Sequence, residues 1–128
     1  MIKWPITYTD YNGDEHTEDF YFNLNKAEVM ELNLNANGAY GQYLQRIVDQ
    51  RDGRAIAEEF KNLILKSYGQ KSDDGRKFVK SKELSEEFSY TDAYSELYME
   101  LATNEQAANK FIQGVFPKVE GTAPVPAK

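Results

Sequence analysis

From Phe60 to Val115 the chain reads FKNLILKSYGQKSDDGRKFVKSKELSEEFSYTDAYSELYMELATNEQAANKFIQGV. Its apolar residues recur at steps of three and four, broken again and again by Gly, Ser, Asp and Asn. That pattern predicts several short amphipathic helices in succession. Helices this short are marginal alone in water. They must bury their stripes on one another and on whatever the rest of the chain offers. The block holds almost no residue type used in catalysis, and acidic, aromatic and aliphatic side chains dominate it. Such a composition suits a surface that binds other proteins.

The helices can be phased from their stripes. Asn25 is placed to cap a first helix, with Glu28 at the reciprocal capping-box position. That helix runs through Val29, Met30 and Leu32 and stops near Asn33 to Asn37, in an Asn-rich loop carrying Gly38 and Gly41. A second spans about Tyr40 to Gln50 on the stripe Tyr40, Tyr43, Leu44, Ile47 and Val48. Arg51-Asp52-Gly53 breaks it. A third runs from Arg54 to Tyr68 on Ile56, Phe60, Leu63, Ile64 and Tyr68, with Gly69 as a left-handed C-cap. Gln70 to Lys80 reads as polar, with a turn at Asp74-Gly75 and Phe78 and Val79 as its only anchors. Ser81 caps a fourth helix, Lys82 to Phe88, on Leu84 and Phe88. Thr91 caps a fifth, Asp92 to Ala102, on Tyr94, Leu97, Tyr98 and Leu101. Thr103 caps a sixth, with Gln106 in the capping-box place and Ala107, Ala108, Phe111, Ile112 and Val115 on its face. Pro117 ends it.

Ahead of the helices, Ile6 to Asp10 and Thr17 to Leu24 alternate with period two and read as strands. Asn12-Gly13 between them favours a tight turn. The expected fold class is α+β: an N-terminal antiparallel β-hairpin packed on about five to six short α-helices. A two-stranded hairpin is marginal alone, so it lies on the helices or lends its edge to a partner strand. Residues 1–116 are expected to form a single globular domain, with the hairpin in 1–24 and the helical part in 25–116. The remainder, 117–128, reads as a flexible Pro- and Ala-rich tail.

At 128 residues, 41% hydrophobic and 13% aromatic, the chain has enough apolar surface for a core. It has no cysteine, which removes disulfides, thiolate nucleophiles and cysteine zinc sites together. No apolar run reaches the roughly 18 residues of a membrane span, and MIKWPITYTD lacks a signal-peptide core. The expected protein is soluble and not exported. The net charge is −6, which disfavours nucleic acid as the main partner. Residues 1–35 carry −5, residues 36–80 carry +3 and residues 81–128 carry −4. The basic middle is either a local anion-binding face or the neutralising partner of the acidic ends.

No constellation for chemistry emerges. His16 is the sole histidine and reads as an exposed turn residue, with no metal or general-base partner. Asp10, Asn12 and Asp14 have the first spacings of a calcium loop, but Glu15 and Tyr21 stand where Gly and Glu are required. Asp73-Asp74-Gly75 fails the same comparison. Glu58-Glu59 and Glu86-Glu87 are adjacent on helices, do not face one another and read as solvated faces. No phosphate-cradling glycine loop is present. The expectation is a protein that is not an enzyme and uses no cofactor or metal.

Tyrosines stand out instead. Of the nine, Tyr90, Tyr94 and Tyr98 repeat at spacing four. Tyrosine favours interfaces through its apolar body and polar tip. Tyr94 and Tyr98 are either core beside Leu97 and Leu101 or the edge of a partner groove.

The wording LILKSYG, KS, DGR, EL, EEFS, AYSEL, MELAT and FI through this block, extended forward by FYFNLNKAEVMEL, resembles the tail assembly chaperones of long-tailed bacteriophages. The resemblance implies a protein of the infected host's cytoplasm that binds the long apolar tape-measure protein and keeps it soluble while tail-tube subunits gather. It implies absence from the finished virion. It also implies that this chain is the short form beside a frameshifted longer product joined at the tail. Partners would be the tape-measure protein, the tail-tube protein and further copies of the chain, with no membrane and no nucleic acid. The partner-binding residues expected are Tyr94, Leu97, Tyr98 and Leu101 on the fifth helix and Phe111, Ile112 and Val115 on the sixth. One alternative is a structural tail-completion or tube-associated subunit retained in the particle. Another is an acidic decoy of a host nucleic-acid-binding protein, against which the basic middle segment argues.

Overall fold

Why the hairpin forms is visible in its side chains. In the computed structural model, which describes residues 1–35 and 39–117, strand β1 (Ile2–Thr9) turns Ile2, Trp4, Ile6 and Tyr8 inward and Lys3, Pro5, Thr7 and Thr9 outward. It pairs antiparallel with β2 (Glu15–Phe22) in the register Ile2↔Phe22 to Thr9↔Glu15. The pair starts earlier than the expected strands, which adds Trp4 to the core. Asp10 closes the turn: its Oδ1 accepts from the amides of Asn12 and Asp14, both at 2.9 Å. Gly13 supplies the positive φ of 90° that the turn requires.

Three helices follow: α1 (Lys26–Asn35), α2 (Tyr40–Asp49) and α3 (Gly53–Ser67). Asn25 and Glu28 form the expected reciprocal box, Asn25 Oδ1 accepting from the Glu28 amide and Glu28 Oε1 from the Asn25 amide. Helix α1 continues through Asn33 to Asn35, residues expected in a loop, and Gly41 lies inside α2. The Asn33 side chain accepts from the Tyr40 amide at 2.8 Å and ties the two helices. The rest of the expected loop, residues 36–38, lies outside the described residues. Leu44, Ile47 and Val48 of α2 and Phe60, Leu63 and Ile64 of α3 are buried, as their stripes require.

The segment after α3 differs from the sequence reading. Helix α3 stops at Ser67, and Tyr68–Lys71 form a third strand, β3, paired with β2 at Tyr21↔Gly69 and Phe22↔Tyr68. Gly69 is not a left-handed cap, since the positive-φ glycines among the described residues are Gly13 and Gly75. It is needed for close approach: a Cβ there would lie 2.6 Å from the Phe78 ring and 2.7 Å from the Val79 carbonyl. The polar stretch expected as a loop is a second hairpin, closed at Gly75, that brings β4 (Phe78–Val79) onto β3. The described strands thus form one antiparallel sheet in the order β1-β2-β3-β4.

Helices α4 (Lys82–Ser89), α5 (Asp92–Thr103) and α6 (Glu105–Val115) complete the described residues. Ser81 and Thr91 cap α4 and α5 as expected, accepting from the amides of Leu84 and Tyr94. The cap of α6 is Asn104 and not Thr103: Asn104 Oδ1 accepts from the Ala107 amide at 3.1 Å. The architecture is α+β, with the inner face of the sheet laid on the helices. A run of aromatic contacts joins five elements at the centre. Trp4 meets Phe111 edge-on at 5.5 Å, Phe111 meets Phe22 at 5.2 Å, Phe22 meets Phe88 at 5.9 Å, and Phe88 stacks on Tyr68 at 4.3 Å. One residue of the basic middle pairs with the acidic N-terminal part. Lys80, from the basic middle, donates to Glu28 at 2.6 Å and to the Asn23 carbonyl at 2.9 Å.

Candidate functional site

The seven residues expected to form a partner surface separate cleanly. Leu97, Leu101, Phe111, Ile112 and Val115 are 0–5% exposed and belong to the core. They are the inward edge of the α5 and α6 stripes, and the hairpin covers them: Phe111 lies between Trp4 and Phe22. Little of their surface is open to solvent, although Leu101 also lines a cleft between helices. Tyr94 and Tyr98 are half-buried on the flank of α5. Their rings stack at 6.1 Å. Tyr94 packs edge-on against Phe88 at 5.9 Å, and the Tyr98 hydroxyl donates to the Ala57 carbonyl of α3 at 3.2 Å. Burial, then the neighbouring Tyr98, pushes the Tyr94 phenol up. Tyr90, at the C-terminal end of α4, is 71% exposed. Tyr90 precedes the Thr91 cap of α5, so the helical spacing of four holds only for Tyr94 and Tyr98, whose rings stack.

Other exposed apolar side chains were not singled out by the sequence. Met99 stands on the outer face of α5, and Met30 and Leu34 lie one turn apart on the outside of α1. Helix α1 also turns Val29 and Leu32 toward the core. Apolar residues on both sides blur its stripe, so no inner face could be read from spacing alone. A further cleft of about 380 Å³ opens where α2 and α3 meet α5 and α6. Val48, Ile56, Leu101 and Ala108 line it, and Arg51 and Glu105, 3.7 Å apart, stand at its rim.

The titratable candidates serve structural contacts. His16 is half-buried on β2 and not in the turn. It stacks on Tyr8 at 5.3 Å, and its Nε2 lies 2.6 Å from Asp10 Oδ2. Tyr8 donates to Glu18 at 2.7 Å, and that bond, with burial, pushes its phenol up to about 12. Glu58, Glu86 and Glu87 are exposed as expected. Glu59 is not simply solvated: it accepts from the Tyr40 hydroxyl at 2.6 Å. Burial first and Glu59 second hold the Tyr40 phenol well above its ordinary value. Among the described residues, no group of three or more His, Cys, Asp or Glu side chains could hold a metal ion. No described helix is long and apolar enough to cross a membrane.

Tyr90, Met99, Met30 and Leu34 are exposed on three different helices or their ends. The family model described as phage tail assembly chaperone matches residues 1–119. The chain belongs to the phage tail assembly chaperone family. That match spans both hairpins and all six described helices, so the tail assembly chaperone fold here includes β3 and β4. No curated protein and no solved structure matches the chain. Membership of a chaperone family implies protein partners.

Proposed function

We propose that this tail assembly chaperone binds the tape-measure protein in the cytoplasm of the infected host and keeps it soluble while the tail tube assembles. Family membership over residues 1–119 carries the reading. An amphipathic client helix would lay its apolar stripe along Tyr90, Tyr94 and Tyr98, a helix-in-groove contact. Met99, exposed on the outer face of the same helix, lies well around the helix from Tyr94 and Tyr98. Glu86, Glu87, Asp92 and Glu96 flank the row in sequence and favour Lys or Arg beside the client's stripe. The five core residues expected at the interface would reach a client only if α5 and α6 opened away from the hairpin.

Co-expression with the tape-measure protein tests this. The wild-type chain should raise the client's soluble yield. Tyr90→Glu with Tyr94→Glu should abolish the gain while the far-UV circular dichroism stays unchanged, since anchors of this type are worth about 2 kcal/mol or more each. Unchanged yield with the wild-type chain would sink the proposal. Mass spectrometry of purified virions should not find the chain in stoichiometric amount, and many copies there would favour a structural tail subunit.

A further inference from the structure

The free edges of the sheet differ in kind. Across the first turn the Asp10 amide donates to the Asp14 carbonyl at 2.8 Å. Backbone pairing alternates along an antiparallel ladder. In the observed register the residues Tyr8↔His16, Ile6↔Glu18 and Trp4↔Phe20 therefore bond to one another. Lys3, Pro5 and Thr7 of β1, and Glu15, Thr17 and Asp19 of β2, turn their backbone groups away from the hairpin. The same parity holds further on, where Tyr21 meets Gly69 and the Asn23 amide donates to the Ser67 carbonyl at 2.9 Å.

On β1 the outward row is interrupted at Pro5, which has no N–H to offer, a usual way of blunting an edge. On β2 nothing interrupts it. Glu15, Thr17 and Asp19 are all exposed, and among the described residues no strand pairs with them on that side. Strand β3 leaves β2 after Gly69 to pair with β4, and a cleft of about 380 Å³ opens there. Asp19, Phe20 and Tyr21 form one wall, and Gly69, Gln70 and Lys71 the other.

We propose that the β2 edge from Glu15 to Asp19 takes up an extended segment of a partner protein by strand addition. That segment carries Lys or Arg at alternate positions, on the face shared with Glu15 and Asp19, and an apolar residue over the half-buried ring of Phe20. Charge selects this occupant. In a second copy paired antiparallel about Thr17, Glu15 would face Asp19 twice, and like charges directly opposite destabilise a strand pair. A basic strand turns both clashes into attractions, and its backbone supplies the hydrogen bonds. The site is separate from the tyrosine row and stands whether or not the client there is the tape-measure helix.

The probe is an acetylated, amidated, fluorescein-labelled heptapeptide of alternating lysine and valine, titrated into the full chain. Saturable binding is expected, with slowed hydrogen exchange at the Thr17 and Asp19 amides. N-methylation of the peptide at alternate residues, on the register that faces β2, should weaken binding by about tenfold or more, as should Thr17→Pro, because each removes a backbone hydrogen bond. Should Thr17→Pro disturb the hairpin, the double variant Glu15→Lys, Asp19→Lys serves instead. It should switch preference to the glutamate–valine peptide. Equal binding of N-methylated peptide, or binding without amide protection, would reduce the effect to charge attraction and overturn the proposal. So would no binding at all. Thr17 and Asp19 amides already protected in peptide-free protein, or protected as protein concentration rises, would mean that this chain or a second copy occupies the edge.

Discussion

Asp10 and His16 show how a residue pair can do structural work that its sequence context conceals. The Asp10 carboxylate accepts from two turn amides and from His16, and these bonds, His16 first, hold its pKa below the ordinary 3.8. The bond to Asp10, reinforced by Glu18 and Asp14, holds His16 above the ordinary 6.5 despite some opposing desolvation. The signs set a window. A raised histidine stabilises the fold fully below its unfolded pKa, and that contribution is lost as pH rises through the folded value. A lowered aspartate stabilises above its unfolded pKa, and that is lost as pH falls through the folded value. The pair thus supports the hairpin most between about pH 4 and pH 6.5. The urea midpoint of the wild-type chain should fall as pH rises from about 6 to 8.5, and His16→Gln should remove that component. By NMR, His16 should titrate above 6.5, and Asp10→Asn should lower it. A His16 titration at or below 6.5 in the wild-type chain would refute the pairing.

At the scale of elements, capping chemistry was legible and register less so. Thr103 and Asn104 are both cap residues, and either could begin α6 by sequence. Thr103 stays helical at the end of α5, where its hydroxyl donates to the Met99 carbonyl at 2.7 Å. Asn104 takes the extended φ and ψ that a cap needs. Asn104→Ala should therefore cost about 1 kcal/mol, the usual loss for such a cap. Thr103→Ala should stay within about 0.5 kcal/mol. Chemical denaturation separates the two, and a reversed order would return the cap to Thr103. The β3–β4 hairpin escaped the sequence reading for a related reason. Strands of four and two residues are too short to show alternation. They exist because β2 offers an edge at Tyr21 and Phe22 and because Gly69 lets Phe78 and Lys80 lie against it.

Across the whole molecule, distant segments hold one another in place. Trp4 of β1 donates to Glu100 of α5 at 3.1 Å and packs on Phe111 of α6. Gly114 lets α6 approach β1, since a Cβ there would lie 2.8 Å from Ile2 Cβ. Val115 accepts from the Leu24 amide at 3.0 Å, and Phe116 packs near Tyr40 and Gly41. These contacts support reading residues 1–116 as one folding unit. On that reading a chain ending at Pro117 should unfold within about 0.5 kcal/mol of full length, because no burial within the unit is lost. A clearly lower denaturation midpoint would show that the remaining residues belong to it.

The helices and the first hairpin were determined by sequence, because period and cap chemistry are local and act within a few residues. So were the Asn25–Glu28 box and the buried stripes of α2 and α3. Which side of a stripe faces water is not local. Tyr98 and Leu97 are neighbours in one apolar pattern, yet Leu97 is 0% exposed and Tyr98 only half-buried. The hairpin lies over one side of α5 and α3 borders the other, so tertiary structure alone moved five expected contact residues into the core. The same packing left Tyr90, Met99, Met30 and Leu34 outside. It also decided the open β2 edge, since an edge exists only where the next strand turns away, and no residue on β2 records where β3 will go.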